Sequence, residues 1–422
     1  MKRVIVLALC VAGCGSTVGG ASVSSDAGAD GSAPVDVPHV TGPCAWTPGE
    51  AVVVSLPEDQ SRFALVDAVA TGDGALVAWR ERALNGGPDA VRVVRVDGAG
   101  RRHPWSADGS LTRGEVVTLP MNAPLQFSMA WEPSRARAVM LAGGPTDRGP
   151  CVFAAFTGTN EREWQQADPP TDGVSLSGCG SLGRHPNGWS YLTQEVRALW
   201  GDQLVRMDDS GRVAGATRLA MTARQPDTAP TRNALGGGFV ARWTESMREG
   251  LQTVRELHLR RYDALGEPVG EDVVAQRIHG AIHDPRVVEV GDGALAVWRE
   301  GVDTLPPLDG VAVRPLAGDL SPRGDVVVYT RLGFVVGGLD ATARDGEVLA
   351  VTALGSGVIR AVLLSFDAAG ALRVGPVALP IVSDAGPLEH LRVVATPEGA
   401  LVIATRPEVS GTRVVAVPVA CR

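Results

Sequence analysis

The chain has 422 residues, 45% hydrophobic and 20% charged, which suffices for a buried core and excludes a globally disordered protein. Its formal net charge of −8 argues against nucleic acid, because phosphate binding needs a basic footprint. Lys2 is the single lysine: a mature chain without Lys2 and Arg3 falls from −8 to −10 and has no lysine nucleophile or Schiff base.

Residues 1–14 read MKRVIVLALCVAGC. The basic pair Lys2-Arg3 and the apolar run from Val4 to Ala12 have the order of a secretory signal. The run is too short for a bilayer, which needs about 20 apolar residues. Its end, Val11-Ala12-Gly13-Cys14, resembles the lipobox of bacterial lipoproteins, although leucine is commonest where Val11 stands. The resemblance implies that Cys14 is lipidated and becomes the N-terminus, and the multi-chain anchor would be stable. Gly15 is not the aspartate that marks inner-membrane retention, so the same resemblance implies an outer-membrane lipoprotein, facing either side. A cleaved signal without lipid is the alternative. Residues 15–43 are rich in Gly, Ser and Ala, carry Asp26, Asp30 and Asp36, and lack Arg and Lys. They read as a disordered acidic tether spanning on the order of 30 Å.

From residue 44 onward a unit of about 53 residues repeats. A tight turn followed by an apolar strand recurs as GALVAW at Gly74, ARAVML at Ala136, GWSYLT at Gly188 and GFVARW at Gly238. It returns as GALAVW at Gly293, GEVLAV at Gly346 and GALVIA at Gly399. A second turn, Asp-x-x-Gly, recurs at Asp97, Asp208, Asp263 and Asp367, with Asp suited to bonding turn amides and Gly to a positive φ. A further apolar strand follows at 114–120, 270–276, 324–330 and 375–380. Four antiparallel strands per repeat make a β-propeller blade, so the expected fold is all-β, a seven-bladed propeller over 44–422. Six or eight blades is the alternative if the second and third copies are misread. The fourth-strand pattern also precedes the first copy, as GEAVVVSLP at 49–57, and the last copy stops after its third strand at 412–422. The N-terminal strand is therefore expected to complete the seventh blade and remove both free edges.

Besides Cys10 and Cys14, four cysteines remain. Export favours disulfides, and four cysteines allow three pairings. The expected seam puts Cys44 beside Cys421, leaving Cys151 to pair with Cys179. A metal site for the four is the alternative, without CxxC spacing to support it.

Four glutamates, Glu81, Glu195, Glu245 and Glu300, stand at one repeat position, two residues after that of Trp79. They read either as an acidic rim for a ligand or, preferably, as strand-end partners of arginines such as Arg80, Arg82 or Arg299. His279, His283 and Asp284 fall in a connection between blades, on the face where propellers commonly bind ligands, and His390 with Glu389 and Arg392 occupies the matching connection of the last blade. These histidines read as structural rather than metal-ligating, because i,i+4 spacing shares a face only on a helix. Trp79, Trp243 and Trp298 share one repeat position and read as packing between blades.

GxSxG, P-loop, HExxH, Asp-box and WD signatures are all missing from the sequence. No catalytic residue, cofactor or metal is therefore expected. At the level of architecture the chain resembles bacterial propeller lipoproteins that serve as assembly scaffolds. This implies a monomeric, non-enzymatic binding module held to the membrane by its lipid, with envelope proteins or peptidoglycan-type glycans as partners. A hydrolase or lyase, metal-assisted or not, with its site in the central funnel is the alternative.

Overall fold

The computed structural model describes residues 45–421, apart from segments 56–61, 83–89, 104–116, 120–126, 136, 144–150, 157–161, 167–175, 178–180, 186, 196–200, 220–230, 236, 251, 303–307, 333–337, 345, 354–357, 367–371, 383–388 and 409–410. The expected signal, Cys14 and the tether lie outside the described residues. What is described forms seven antiparallel sheets, each built from strands consecutive in the chain except the last. In each sheet the strand that comes first in the blade lies nearest the axis. These inner strands are Arg62–Ala70, Phe127–Glu132, Leu182–His185, Thr231–Leu235, Ala281–Val290, Leu339–Arg344 and Glu389–Thr396, in blades 1 to 7. They pack on one another in sequence from blade 4 through 5, 6, 7, 1 and 2 to 3. This is a seven-bladed β-propeller.

Each hydrophobic cluster is shared by two neighbouring blades. Trp79 packs with Leu401, Ile403 and Ala416 between blades 1 and 7, and Trp298 with Leu257 and Leu259 between 5 and 4. Trp243 packs with Leu192 and Leu204 between blades 4 and 3. All three indoles are at most 1% exposed, so the shared tryptophan position fills the space between sheets. A blade has two apolar faces and cannot bury either alone; the ring buries both.

The expected closure is observed, in two pieces. Trp46–Pro48 and Val52–Val53 pair antiparallel with Gly411–Cys421, with Trp46 opposite Cys421 and Val52 opposite Ala416. Val54 N–H then donates to Val414 O at 2.8 Å. The Trp46 indole also donates to Glu347 of blade 6 at 2.6 Å, tying the closing strand to a second blade. Pairing with Cys421 brings the chain just before Trp46 to the seam. Cys44 and Cys179 lie outside the described residues, and Cys151 is described only as the head of the strand Cys151–Phe156.

The turns explain the repeat. Asp263 Oδ1 accepts the amides of Leu265 at 2.8 Å and Glu267 at 2.9 Å. Gly266, at φ +90°, lies so close to Leu204 of blade 3 that an added Cβ would meet its Cδ2 at 2.7 Å. Asp97 and Asp208 repeat the Asp geometry. The Asp is thus a turn former, and the Gly both adopts the left-handed conformation and admits the neighbouring blade.

Candidate functional site

A polar residue stands three or four residues before the last residue of the inner strand in every blade: Asp67, Ser128, Ser181 just ahead of its strand, Thr231, Arg286, Asp340 and Arg392. Five of them, Asp67, Ser128, Arg286, Asp340 and Arg392, bond between neighbouring blades. Arg286 of blade 5 donates to Asp340 Oδ1 of blade 6 at 2.5 Å, while Asp340 Oδ2 accepts the Val393 amide of blade 7 at 2.9 Å. The arrangement repeats two blades on. Arg392 of blade 7 donates to Asp67 Oδ1 of blade 1 at 3.1 Å, and Asp67 Oδ2 accepts the Met129 amide of blade 2 at 2.9 Å. Ser128 Oγ of blade 2 accepts the Leu182 amide of blade 3 at 3.0 Å. Each carboxylate therefore takes an arginine from the preceding blade and caps a backbone amide of the following one.

Blade 4 contributes differently. Its inner-strand residue Thr231 is short, and directly opposite on the second strand stands Arg242, where blades 5, 6 and 7 have Val297, Val351 and Ile403. Cross-strand partners share a face, so Arg242 faces the same way as the inner-strand position, within reach of the belt charges of Arg286, Asp340 and Arg392. It is 5% exposed. Burial, joined by the charge of Arg286, drives its proton affinity well below that of an ordinary arginine, against the pull of Asp340. For Arg392 burial works against the charge, but Asp67 and Asp340 outweigh it and hold the proton more firmly than usual.

The connections between blades carry the remaining features. Asp284 and His390 occupy matching positions two residues before Arg286 and Arg392, each at a register shift and each at φ +48°, a conformation uncommon for residues other than glycine. Asp284 pairs with Arg299 at 2.7 Å. His283 is exposed and opposite Arg299, His390 is half-buried, and exposed His279 ends the outer strand of blade 4, across Gly280 from blade 5. His279 and His283 thus belong to different blades. They are not among the His, Cys, Asp and Glu groups that approach within ligating distance among the described residues.

The repeated glutamates lie in the connection-face halves of the second strands: Glu195 ends its strand, Glu81 is next to last, Glu300 stands two residues and Glu245 four residues before the end. Glu81 pairs with Arg92 of the adjacent strand at 2.5 Å, a partner that sequence spacing did not suggest. Glu245 is 1% exposed and accepts the Trp243 indole N–H at 3.1 Å. Glu300 accepts from the Trp298 indole at 3.4 Å and from Gln276 of blade 4 at 3.1 Å. Glu195 lies opposite Gly201 at the end of its strand, its side chain outside the description. In blades 4 and 5, Trp-x-Glu is therefore a same-face pair in which the carboxylate satisfies a buried indole.

No family model matches the chain, and no curated protein matches it. Solved structures similar to it include a β-propeller domain. The β-propeller domain of the Trilobed protease from Pyrococcus furiosus shares 9% identity over 84% of this chain and 95% of that one, with a TM-score of 0.46. The α-L-arabinanase of Penicillium chrysogenum, complexed with arabinobiose, shares 12% over 70% and 93%, at 0.44. The acylaminoacyl peptidase of Pyrococcus horikoshii shares 9% over 84% of this chain and 52% of that one, at 0.46. With every TM-score below 0.5, they carry no argument about what this chain does.

Proposed function

We propose that this is a lipid-anchored envelope protein whose propeller is a non-enzymatic binding module, with its partner seated over the channel mouth on the connection face. The observation that carries this reading is the belt. Four of its charges are committed to one another across blades, as Arg286–Asp340 and Arg392–Asp67, beside Arg299–Asp284. Such pairing makes a rigid mouth of fixed charge pattern, suited to recognition. A funnel enzyme needs groups held ready to accept or donate protons. The same reading takes Cys14 as the lipid anchor, 15–43 as the spacer and Cys44–Cys421 as a staple across the seam.

Site-specific photocrosslinking in the native envelope tests it. A crosslinking residue at exposed His283 is expected to capture a defined envelope protein or glycan; one at Leu265, 43% exposed on the opposite turn face, is not. Equal capture at both positions, or none at His283, overturns the assignment of the face. Cys14→Ser is expected to move the protein from the detergent phase to the aqueous phase. A wild type already in the aqueous phase overturns the anchor.

A further inference from the structure

Blade 4 holds a second cluster, away from the belt. Its second strand Gly238–Glu249 and third strand Gln252–Tyr262 place Glu245 directly opposite Glu256, and Trp243 opposite His258. Residues two apart on a strand share a face, so these four side chains form one tile. Glu245, Glu256 and His258 are 1%, 7% and 6% exposed. Two buried carboxylates facing each other across a ladder are unfavourable both as like charges and as desolvated ones. A cation between them removes both penalties.

The orientation of each group points the same way. Trp243 holds Glu245 by Oε1, leaving Oε2 at 3.7 Å from His258 Nε2. Arg277 of the outer strand holds Glu256 by Oε1 at 3.1 Å, leaving Oε2 at 3.1 Å from the same nitrogen. The imidazole is stacked on Trp243, with ring centroids 5.3 Å apart and planes at 15°, which fixes the direction of Nε2. Each carboxylate thus has one oxygen anchored by an outer donor and the other turned to a common point, the outer-shell arrangement of monodentate metal ligands. One ligand atom from each of the three residues lies within 4.8 Å of those of the other two. A tetrahedral ion with bonds of about 2.0–2.2 Å sets its ligand atoms roughly 3.4 Å apart, and the separations of 3.1 and 3.7 Å bracket that value.

We propose that Glu245 Oε2, Glu256 Oε2 and His258 Nε2 bind one zinc-class divalent cation, a structural site that locks the second and third strands of blade 4. One imidazole with two carboxylates suits zinc over calcium or magnesium, which prefer more numerous oxygens. All three residues are buried within the blade, and water or a further group completes the tetrahedron. This inference is independent of the binding function proposed above.

Calorimetric titration of the full-length, untagged, metal-stripped protein with zinc chloride, checked by elemental analysis, tests it. One equivalent is expected to bind and to raise the melting temperature as free zinc increases. His258→Ala is expected to weaken binding by at least about a hundredfold, and Trp243→Phe, which keeps the packing but loses the indole donor, by about tenfold. His279→Ala with His283→Ala is expected to keep the equivalent. Failure of the wild-type protein to take up zinc overturns the site, as does uptake that survives in His258→Ala or disappears with the His279 and His283 changes.

Discussion

Asp340→Ala tests whether the belt holds the ring together. Asp340 is 7% exposed, and two blades rely on it: Arg286 of blade 5 at 2.5 Å and the Val393 amide of blade 7 at 2.9 Å. The guanidinium is also shielded, with side-chain exposures of 16% for Arg286 and 10% for Asp340. Removing one partner of such a pair leaves an uncompensated charge and costs about 3–5 kcal/mol. A stranded buried amide alone costs about 1–3 kcal/mol. The losses overlap, so about 4–5 kcal/mol is expected. The cost rises because Arg242 and Arg392 also feel the Asp340 charge and lose its counterweight. Replacing both partners, with Arg286→Met and Asp340→Leu, removes the ion pair as a unit and the Arg286 repulsion on Arg242 with it, leaving chiefly the Val393 amide, so about 1–3 kcal/mol is expected. Urea unfolding followed by far-UV circular dichroism and tryptophan fluorescence reads both values. If Asp340→Ala costs less than about 1 kcal/mol, or no more than the double replacement, the belt does not clamp the blades. Asp292→Ala at the exposed Arg323 pair is the control and should leave the midpoint where it is.

Two further outcomes are expected. Burial lowers the pKa of His185 from its ordinary 6.5, against the opposing effect of its hydrogen bonds to backbone. The unfolded state therefore takes up the proton first, so His185 contributes stability that is complete above about pH 6.5 and is lost as pH falls towards the lower folded value. His185→Gln should flatten the melting temperature between pH 7 and 5, and an unchanged slope refutes the assignment. Across the seam, Cys44→Ser is expected to cost about 4–5 kcal/mol in the chain-entropy treatment, with dithiothreitol reproducing the loss in wild type; a wild type indifferent to reductant would falsify the staple.

Much of the architecture is legible in the sequence because the turns use residues with a single structural purpose. Asp263 and Gly266 can be read from spelling alone, since one bonds turn amides and the other accepts positive φ. The closing strand is legible because apolar alternation at 49–57 has no partner in its own repeat. The belt is not, because its position is filled by Asp, Ser, Thr or Arg, and only the register shows them to be equivalent. Arg242 faces it from a different strand altogether, at a position otherwise apolar in the blades that follow. The histidine spacing at 279–283 misdirects for the opposite reason: four residues of separation span the end of one blade and the start of the next. Glu245 is conspicuous in sequence, but its partners Glu256 and His258 are not, since nothing before the hairpin register places 256 opposite 245. The signal would have been Glu-x-His on a third strand facing Trp-x-Glu on a second.

The seam makes integrity of the chain a condition for shielding its edges. Ser55 Oγ accepts the Val414 amide across 359 residues of sequence, so the opening segment waits unpaired until nearly the last residues are available. Long-range pairings of this kind form late and slowly. A fragment ending before Gly411 would expose the edges of blade 7 to other chains and to proteases, however well its earlier blades had formed. Completion of the ring thus separates whole molecules from interrupted ones.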